Sequence, residues 1–342
     1  MNQVSFPGLG LDGFNINKEA FALGSVSVKW YGIIIMLGMV LAVGYVVMRS
    51  IERGVKLDHI LDLALFTILF GVFGARMYYV IFEAIAGRFD MANWYRIWDG
   101  GLAIYGGIIG GALAVFVVLK IKKISFPMIG DFICPGLLIG QLFGRWGNFM
   151  NVEAFGTVTD LPWRMCSPAV TDYLVNKELV EVGSETYNAL IAGTFGVHPT
   201  FLYESLWNLA GFLFIHLFLF KKRKYDGEVV LFTFAWYGFG RMWIEMLRTD
   251  TMSIGNMASP WYTRANVWIG LVFFVICTAL LVLHRVRGTN FFFKKRTDEI
   301  PTDLVTSTKV TTVADKAYAI AIPAIEAALI LMIVLLSVFQ NL

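Results

Sequence analysis

The chain has 342 residues, of which 57% are hydrophobic and only 15% charged. Soluble globular chains average about 25% charged residues, so a water-soluble core is excluded in favour of a polytopic membrane protein. The net charge of +3, with Lys and Arg in short clusters between apolar segments, offers nucleic acid no continuous basic face. Three scattered cysteines without a CxxC pair argue against a disulfide framework and a zinc site.

A hydrocarbon layer of about 30 Å needs about 20 mostly apolar residues per helix. Eight segments have that character: residues 28–49, 60–86, 102–120, 129–149, 200–220, 228–248, 265–284 and 317–339. Residues 1–26, ahead of the first, are polar and mixed, without the basic-then-apolar order of a cleavable leader. The second segment is long enough to tilt or break near Gly71 and Gly74. The fourth contains Pro135, which is expected to kink it. Between the fourth and fifth, residues 150–199 are long enough to form a small cap. Residues 288–316 read as a polar, basic linker. The last span, within 317–342, is interrupted by Pro323 and Glu326.

The basic residues orient the segments. Arg49, Arg53 and Lys56 follow the first, Lys120, Lys122 and Lys123 the third, and Lys221, Lys222, Arg223 and Lys224 the fifth. A further cluster from Arg285 to Lys316 follows the seventh, and these outnumber the Lys and Arg of the opposite side. The excess marks the cytoplasmic face. The N-terminus and the 150–199 loop are therefore expected outside. The fold class read from the sequence is all-α: a polytopic helix bundle of seven spans over residues 1–287, an eighth C-terminal span, and an outer cap from 150–199.

Ionisable groups within such segments are costly and usually face a bundle interior with a function. In the fourth segment Asp131, Cys134, Leu138, Gln141, Arg145 and Asn148 recur at intervals of three and four, one stripe of a helix. In the sixth, Tyr237, Arg241, Glu245 and Arg248 do the same, and Arg241 and Glu245 can pair at i,i+4. A helix–helix hydrogen-bond seam, or a self-neutralising pair, would account for either stripe alone. Together they put two arginines at similar depth, an arrangement suited to a phosphate. In the second segment Arg76 is open to two readings, a binding group or a structural one paired with Asp99 or Glu83. In the third, Gly106/Gly110 and Gly107/Gly111 permit close helix approach. Tyr31 and Tyr105 stand near segment ends, where tyrosine commonly marks the interface. A single outer histidine, His198, has no metal-ligand spacing around it.

The blocks "GRWGNFMNVEAFG" (Gly144–Gly156), "KWYGIII", "GARMYYV", "WDGGLAIYGGIIGG", "HPTFLYE" and "YGFGRMWIEMLR" resemble, in order, those of the prolipoprotein diacylglyceryl transferase family of bacterial inner-membrane enzymes. The resemblance implies a seven-span core with a periplasmic N-terminus and no metal or nucleotide cofactor. It implies transfer of the diacylglyceryl group of phosphatidylglycerol to the lipobox cysteine thiol of a preprolipoprotein, with glycerol phosphate released. It places Arg145, Arg241, Tyr105 and Glu245 in catalysis, the two arginines on the phosphate. It places Tyr31, Arg76, Asn148, Asn151, Glu153, Gly156, His198, Glu204, Tyr237 and Arg248 in substrate binding, with Asn148 and Asn151 on glycerol oxygens and Glu153 and Glu245 positioning arginines. Tyr105 stands where many relatives carry histidine, so the group that receives the thiol proton is left open between Tyr105, His198 and the positive field of the site. A transporter for an anionic solute would show similar polar stripes, yet the spans show no convincing two-fold internal repeat.

Overall fold

The computed structural model describes residues 2–23, 26–88, 93–97, 100–249 and 264–287. The expected linker 288–316, the eighth span within 317–342 and Asp99 lie outside them. The described residues divide into two compact units, one from residues 1–42 and 133–287, the other from 43–132.

The fold is mostly helical. β1 (Asn2–Phe6) and β2 (Leu11–Ile16) form one hairpin, and β3 (Glu19–Leu23) and β4 (Val26–Lys29) a second. The helices that follow are α1 (Trp30–Glu52), α2 (Leu57–Ile85), α3 (Ile104–Ile121) and α4 (Phe126–Asn151). β5 (Val158–Thr159), α5 (Pro168–Asn176), α6 (Glu185–Ile191) and β6 (Gly196–Val197) come next. α7 (Thr200–Phe214) continues through a π turn at Ile215–Leu219 into α8 (Phe220–Lys222), before α9 (Glu228–Leu247) and α10 (Ala265–Arg287). The all-α expectation is corrected in this respect: the polar N-terminus forms hairpins, because its apolar residues alternate and thus suit strands rather than a helix.

Among the described residues six helices are long and apolar enough to cross a membrane: α1, α2, α3, α4, α7 with its continuation to Lys222, and α10. α9 has 20 residues, about 30 Å at 1.5 Å per residue, but carries Glu228, Arg241 and Glu245. Glu228 is fully buried and accepts from Arg285 Nε at 2.7 Å, across from α10.

In the 43–132 unit, α2 runs unbroken for 29 residues, so of the two expectations, tilt or break, the break does not occur. Its Gly74 serves instead as a seat for α3. A Cβ on Gly106 would lie 2.2 Å from the Gly74 carbonyl oxygen, and one on Gly110 2.2 Å from that of Phe70. Backbone thus meets backbone along the Gly106/Gly110 seam, as small residues in membrane helices allow. Arg76 projects from α2 and donates to the carbonyls of Asn93, Trp94, Gly100 and Gly101 at 2.7–3.1 Å. Its other sequence-expected partner, Glu83, pairs with Arg88 at 2.8 Å.

In the other unit, α7 and α9 are joined by a reciprocal clasp. Trp207 Nε1 donates to the Trp236 carbonyl and Trp236 Nε1 to the Trp207 carbonyl, both at 3.0 Å, with the indoles stacked 4.2 Å apart. Each indole lies where a Cβ cannot: one on Gly240 would fall 2.2 Å from Trp207 Nε1, and one on Gly211 2.4 Å from Trp236 Nε1. Both helices therefore carry the same Trp-then-Gly spacing of four, a ring and the notch for its partner on one face. Phe214 against Phe232 and Tyr203 against Trp243 fix the two helices as antiparallel.

Residues 152–199 form a small folded layer whose core is shared with the first hairpin. Val4, Phe14 and Ile16 pack with Phe149, Met165, Leu174, Val197 and Phe201. Ser5 and Cys166 exchange backbone hydrogen bonds at 2.9 Å. The first hairpin thus packs into the layer formed by residues 152–199, whereas the sequence reading treats 150–199 by itself.

Gly240→Val should expel the Trp207 indole from its notch. We expect a loss of about 1–3 kcal/mol, the range for overpacking, seen as a lower thermal midpoint of the detergent-solubilised protein. Gly144→Val, a glycine with open space around it, is the matched control and should lower the midpoint far less.

Candidate functional site

α4 leads into a sharply folded return. Val152 and Ala154 adopt positive φ, 54° and 57°, a conformation that a β-branched residue rarely takes. The surroundings hold them there. Val152 N donates to Phe149 O at 2.9 Å and Glu153 N to Asn148 O at 3.1 Å, and Thr200 Oγ1 donates to Ala154 O. Glu153, between the two strained residues, is turned back on the last turn of α4. Its Oε1 accepts from Asn148 Nδ2 at 2.9 Å and Asn151 Nδ2 at 3.2 Å. The chain then passes between His198 and the end of α9. Gly156 N donates to His198 O at 2.8 Å, Thr157 N to Leu247 O at 2.7 Å, and Gly156 bridges Arg248. A Cβ on Gly156 would meet Leu247 O at 2.6 Å and His198 Cβ at 2.7 Å, which is why glycine ends this block.

Glu204 of α7 is the centre of the site. It is 5% exposed and faces guanidinium groups from two other elements. Its Oε1 lies 2.7 Å from Arg145 Nη2; its Oε2 lies 3.5 Å from Arg241 Nη1 and 3.9 Å from Arg248 Nη1. Arg241 is also held by Glu245, Nη2 to Oε2 at 2.8 Å, the i,i+4 pair read from the sequence. Glu245 is itself fully buried, and its Oε1 accepts from Asn266 Nδ2 at 2.9 Å. Arg264 Nη1 donates to the Glu245 and Met246 carbonyls. Arg145 Nη1 donates to Asn148 Oδ1 at 3.1 Å, which joins the amide pair and Glu153 to the same network.

The two polar stripes thus meet, with Glu204 between them. Arg145, Arg241, Arg248, Glu204, Glu245, Asn148, Asn151 and Glu153 form one continuous set of contacts. Tyr237 lies within electrostatic reach of Arg241, Glu204 and Arg145, and Tyr31 within reach of Glu153 and Arg145. Tyr31 also packs so that a Cβ on Gly147 would fall 2.9 Å from its ring. Glu153 touches the asparagines, and reaches Arg145 only through Asn148. Arg76 and Tyr105 belong to the 43–132 unit. There Arg76 binds loop carbonyls, and Tyr105, 39% exposed at the start of α3, has its ring 6.5 Å from that of Tyr78.

His198 stands beside the network. Its Nδ1 lies 3.2 Å from Tyr203 Oη, which accepts from Trp163 Nε1 at 2.6 Å. Burial pushes the His198 imidazole below its ordinary pKa, so the neutral ring is favoured. Tyr203, Trp163, Asn266 and Arg264 escaped the sequence reading, since none of them continues a stripe. Among the described residues no three His, Cys, Asp or Glu side chains converge as a metal would require.

The arrangement can hold an anion. Guanidinium groups already oriented by buried carboxylates form charge-assisted, directional hydrogen bonds to phosphate oxygens. Among the described residues three guanidiniums surround the two buried carboxylates here, while the third carboxylate of the network, Glu153, is exposed and touches only the asparagines.

The model of the family described as "Prolipoprotein diacylglyceryl transferase" matches residues 18–283, a range holding every residue of the site. A protein of Ligilactobacillus salivarius named phosphatidylglycerol–prolipoprotein diacylglyceryl transferase is 36% identical over 271 residues, 79% of this chain and 94% of its own. A protein of that name from Listeria monocytogenes is 35% identical over 272 residues, 80% and 91% of the two chains. One from Acaryochloris marina is 39% identical over 241 residues, 70% and 82%.

Glu204→Gln removes the charge shared by the arginines and leaves them unbalanced in a buried setting. We expect a destabilisation approaching the 3–5 kcal/mol typical of breaking a buried pair, read as a lower thermal midpoint. For His198 the sign is that of a depressed base. Its stabilising contribution is complete above the unfolded value near 6.5 and declines as pH falls from there toward the folded value. Thermal midpoints between pH 7.5 and 5 should drop less in His198→Gln than in the parent.

Proposed function

The chain belongs to the prolipoprotein diacylglyceryl transferase family, and from that premise we propose that the guanidinium shell around Glu204 is its transfer site. There the diacylglyceryl group of phosphatidylglycerol passes to the lipobox cysteine of a preprolipoprotein, the first step of lipoprotein maturation. The observation that carries this reading is the convergence of Arg145, Arg241 and Arg248 on one buried carboxylate.

The sulfur attacks the glycerol carbon that bears the phosphate ester. A C–S bond forms, the C–O bond breaks, and the electron pair leaves on the phosphate of glycerol phosphate. The thiol proton ends on that phosphate or on solvent, so charge and atoms balance. Arg145 and Arg241 hold the phosphate through the bond change and stabilise the charge that gathers on the leaving oxygen, as preoriented donors in a dry site do. Glu204 and Glu245 keep the guanidinium planes in place before the lipid arrives, so little reorganisation remains at the moment of reaction. An amide nitrogen has two hydrogens, so Asn148 and Asn151 can each hold Glu153 and a glycerol oxygen at once. Tyr31, Tyr237, Gly156 and Arg248 shape the walls of the binding site. His198, kept neutral, is a reserve acceptor for the proton. In this reading Tyr105 orients the thiol by hydrogen bonding while the positive field favours the thiolate, the nucleophilic form. Arg76 acts at one remove, through the carbonyls of Gly100 and Gly101 ahead of Tyr105.

Four features support a bacterial inner-membrane location with the N-terminus and cap on the periplasmic side: the six apolar helices, the basic clusters at alternate ends, α9 as a seventh span whose charges are paired, and the layer formed by 152–199 with the first hairpin. Membrane lipids surround such a bundle. The transporter reading has no observation of its own in its favour.

Purified protein incubated with phosphatidylglycerol and a lipobox peptide should add one diacylglyceryl mass to the cysteine. Arg145→Ala and Arg241→Ala should each slow this by about 100-fold or more, the scale for losing one preoriented oxyanion donor. Full activity in both, at normal folding, would remove them from the reaction. A Tyr105→Phe enzyme should keep the shape of its pH–rate profile.

A further inference from the structure

One turn inward from the arginine shell lies a second polar tier. Gln141 is four residues before Arg145 on α4, Asn208 four residues after Glu204 on α7, and Tyr237 four residues before Arg241 on α9. α4 and α7 are antiparallel: Phe149 stacks on Phe201 at 4.7 Å, and one turn on Arg145 meets Glu204 and Trp146 Nε1 meets Ser205 Oγ at 3.0 Å. α7 and α9 are antiparallel as well. One further step along each helix therefore brings Gln141, Asn208 and Tyr237 to a common level.

Two atoms of this tier are anomalous. Gln141 Oε1 and Asn208 Nδ2 are buried and have no hydrogen-bond partner among the described residues. Asn208 is only 1% exposed. A buried amide left unpaired is unfavourable by about 1–3 kcal/mol, and here one unpaired acceptor and one unpaired donor stand at a common level of neighbouring helices. Charged ligands do not fit this pair, because neither amide carries charge. Acyl chains do not fit it, because they would leave both amides unpaired. A hydroxyl fits, since it donates and accepts at once.

We propose that Gln141 and Asn208 seat a hydroxyl of the glycerol headgroup of phosphatidylglycerol and so select that headgroup. This rests on the transfer site proposed above. A helical turn advances about 5.4 Å, comparable with the reach from a phosphate to the hydroxyls of the glycerol it carries. With the phosphate on Arg145 and Arg241, the headgroup enters the buried interior while the apolar chains stay among lipid. The hydroxyl then accepts from Asn208 Nδ2 and donates to Gln141 Oε1. A site that binds a hydroxyl in this way rejects an analogue that lacks it, because its own buried groups stay unpaired.

The test uses the full chain in mixed micelles with a lipobox peptide. Transfer is compared from phosphatidylglycerol and from phosphatidylpropanol, which has the same headgroup carbons without the hydroxyls. The parent should favour phosphatidylglycerol by about ten-fold or more in kcat/KM. Gln141→Met and Asn208→Leu, close in size and apolar, should bring that ratio toward one, mainly through KM for phosphatidylglycerol, with thermal midpoints equal to or above the parent's. A parent that does not discriminate overturns the proposal. So do folded variants that slow equally with both lipids, the signature of a structural water or a packing role. A parent that transfers from neither lipid would instead overturn the transfer site itself.

Discussion

Three guanidinium groups from two stretches of the chain compete for one buried carboxylate. Glu204 lies 2.7 Å from Arg145, 3.5 Å from Arg241 and 3.9 Å from Arg248, and Glu245 holds Arg241 from the other side. Buried charge is tolerated only when it is paired, so these residues constrain one another. Moving any one of α4, α7 or α9 would strand a charge on another. The same mutual restraint is what makes the cluster fit for a phosphate, because donors already fixed in direction need not be ordered by the ligand.

Helix packing delivers that geometry. The Trp207/Trp236 clasp sets the level of α7 against α9, and Glu204 and Arg241 lie beyond it toward the start of α7 and the end of α9. Phe149, Phe201 and Trp146 do the same for α4 against α7. The strained return at Val152–Ala154 is held by the last turn of α4 and by Thr200, and it turns Glu153 toward the amides that steady Arg145. Membrane helices have little hydrophobic drive to associate with one another. Notched glycines, reciprocal indole bonds and ion pairs supply the specificity instead, so the elements that build the fold are continuous with those that build the site.

Much of this was legible before any coordinates. The stripe in α4 and the stripe in α9 are properties of a 3.6-residue repeat, and both faces turned out to be the inward ones. The Arg241–Glu245 pair is local for the same reason. Other features were not legible. Glu204 carries no periodic signature, and nothing in "HPTFLYE" says that three arginines will reach it. Gly74 could be read as a helix breaker or as a docking notch, and only the presence of α3 against it decides. Arg76 donates to four main-chain carbonyls, and main-chain carbonyls leave no trace in residue identity. The first hairpin read only as a polar, mixed segment, because its apolar residues are few and find their partners in residues 149–201.

The sequence by itself determined the membrane class, the helical segments and the faces along which charge would be collected, since composition and local periodicity encode these directly. Tertiary structure decided which charges share an oxygen, which amides remain unpaired beneath them, and that the first hairpin packs on the 152–199 layer. Those are contacts between residues far apart in the chain, and their formation depends on helix register and interhelical distance, which no short window of sequence contains.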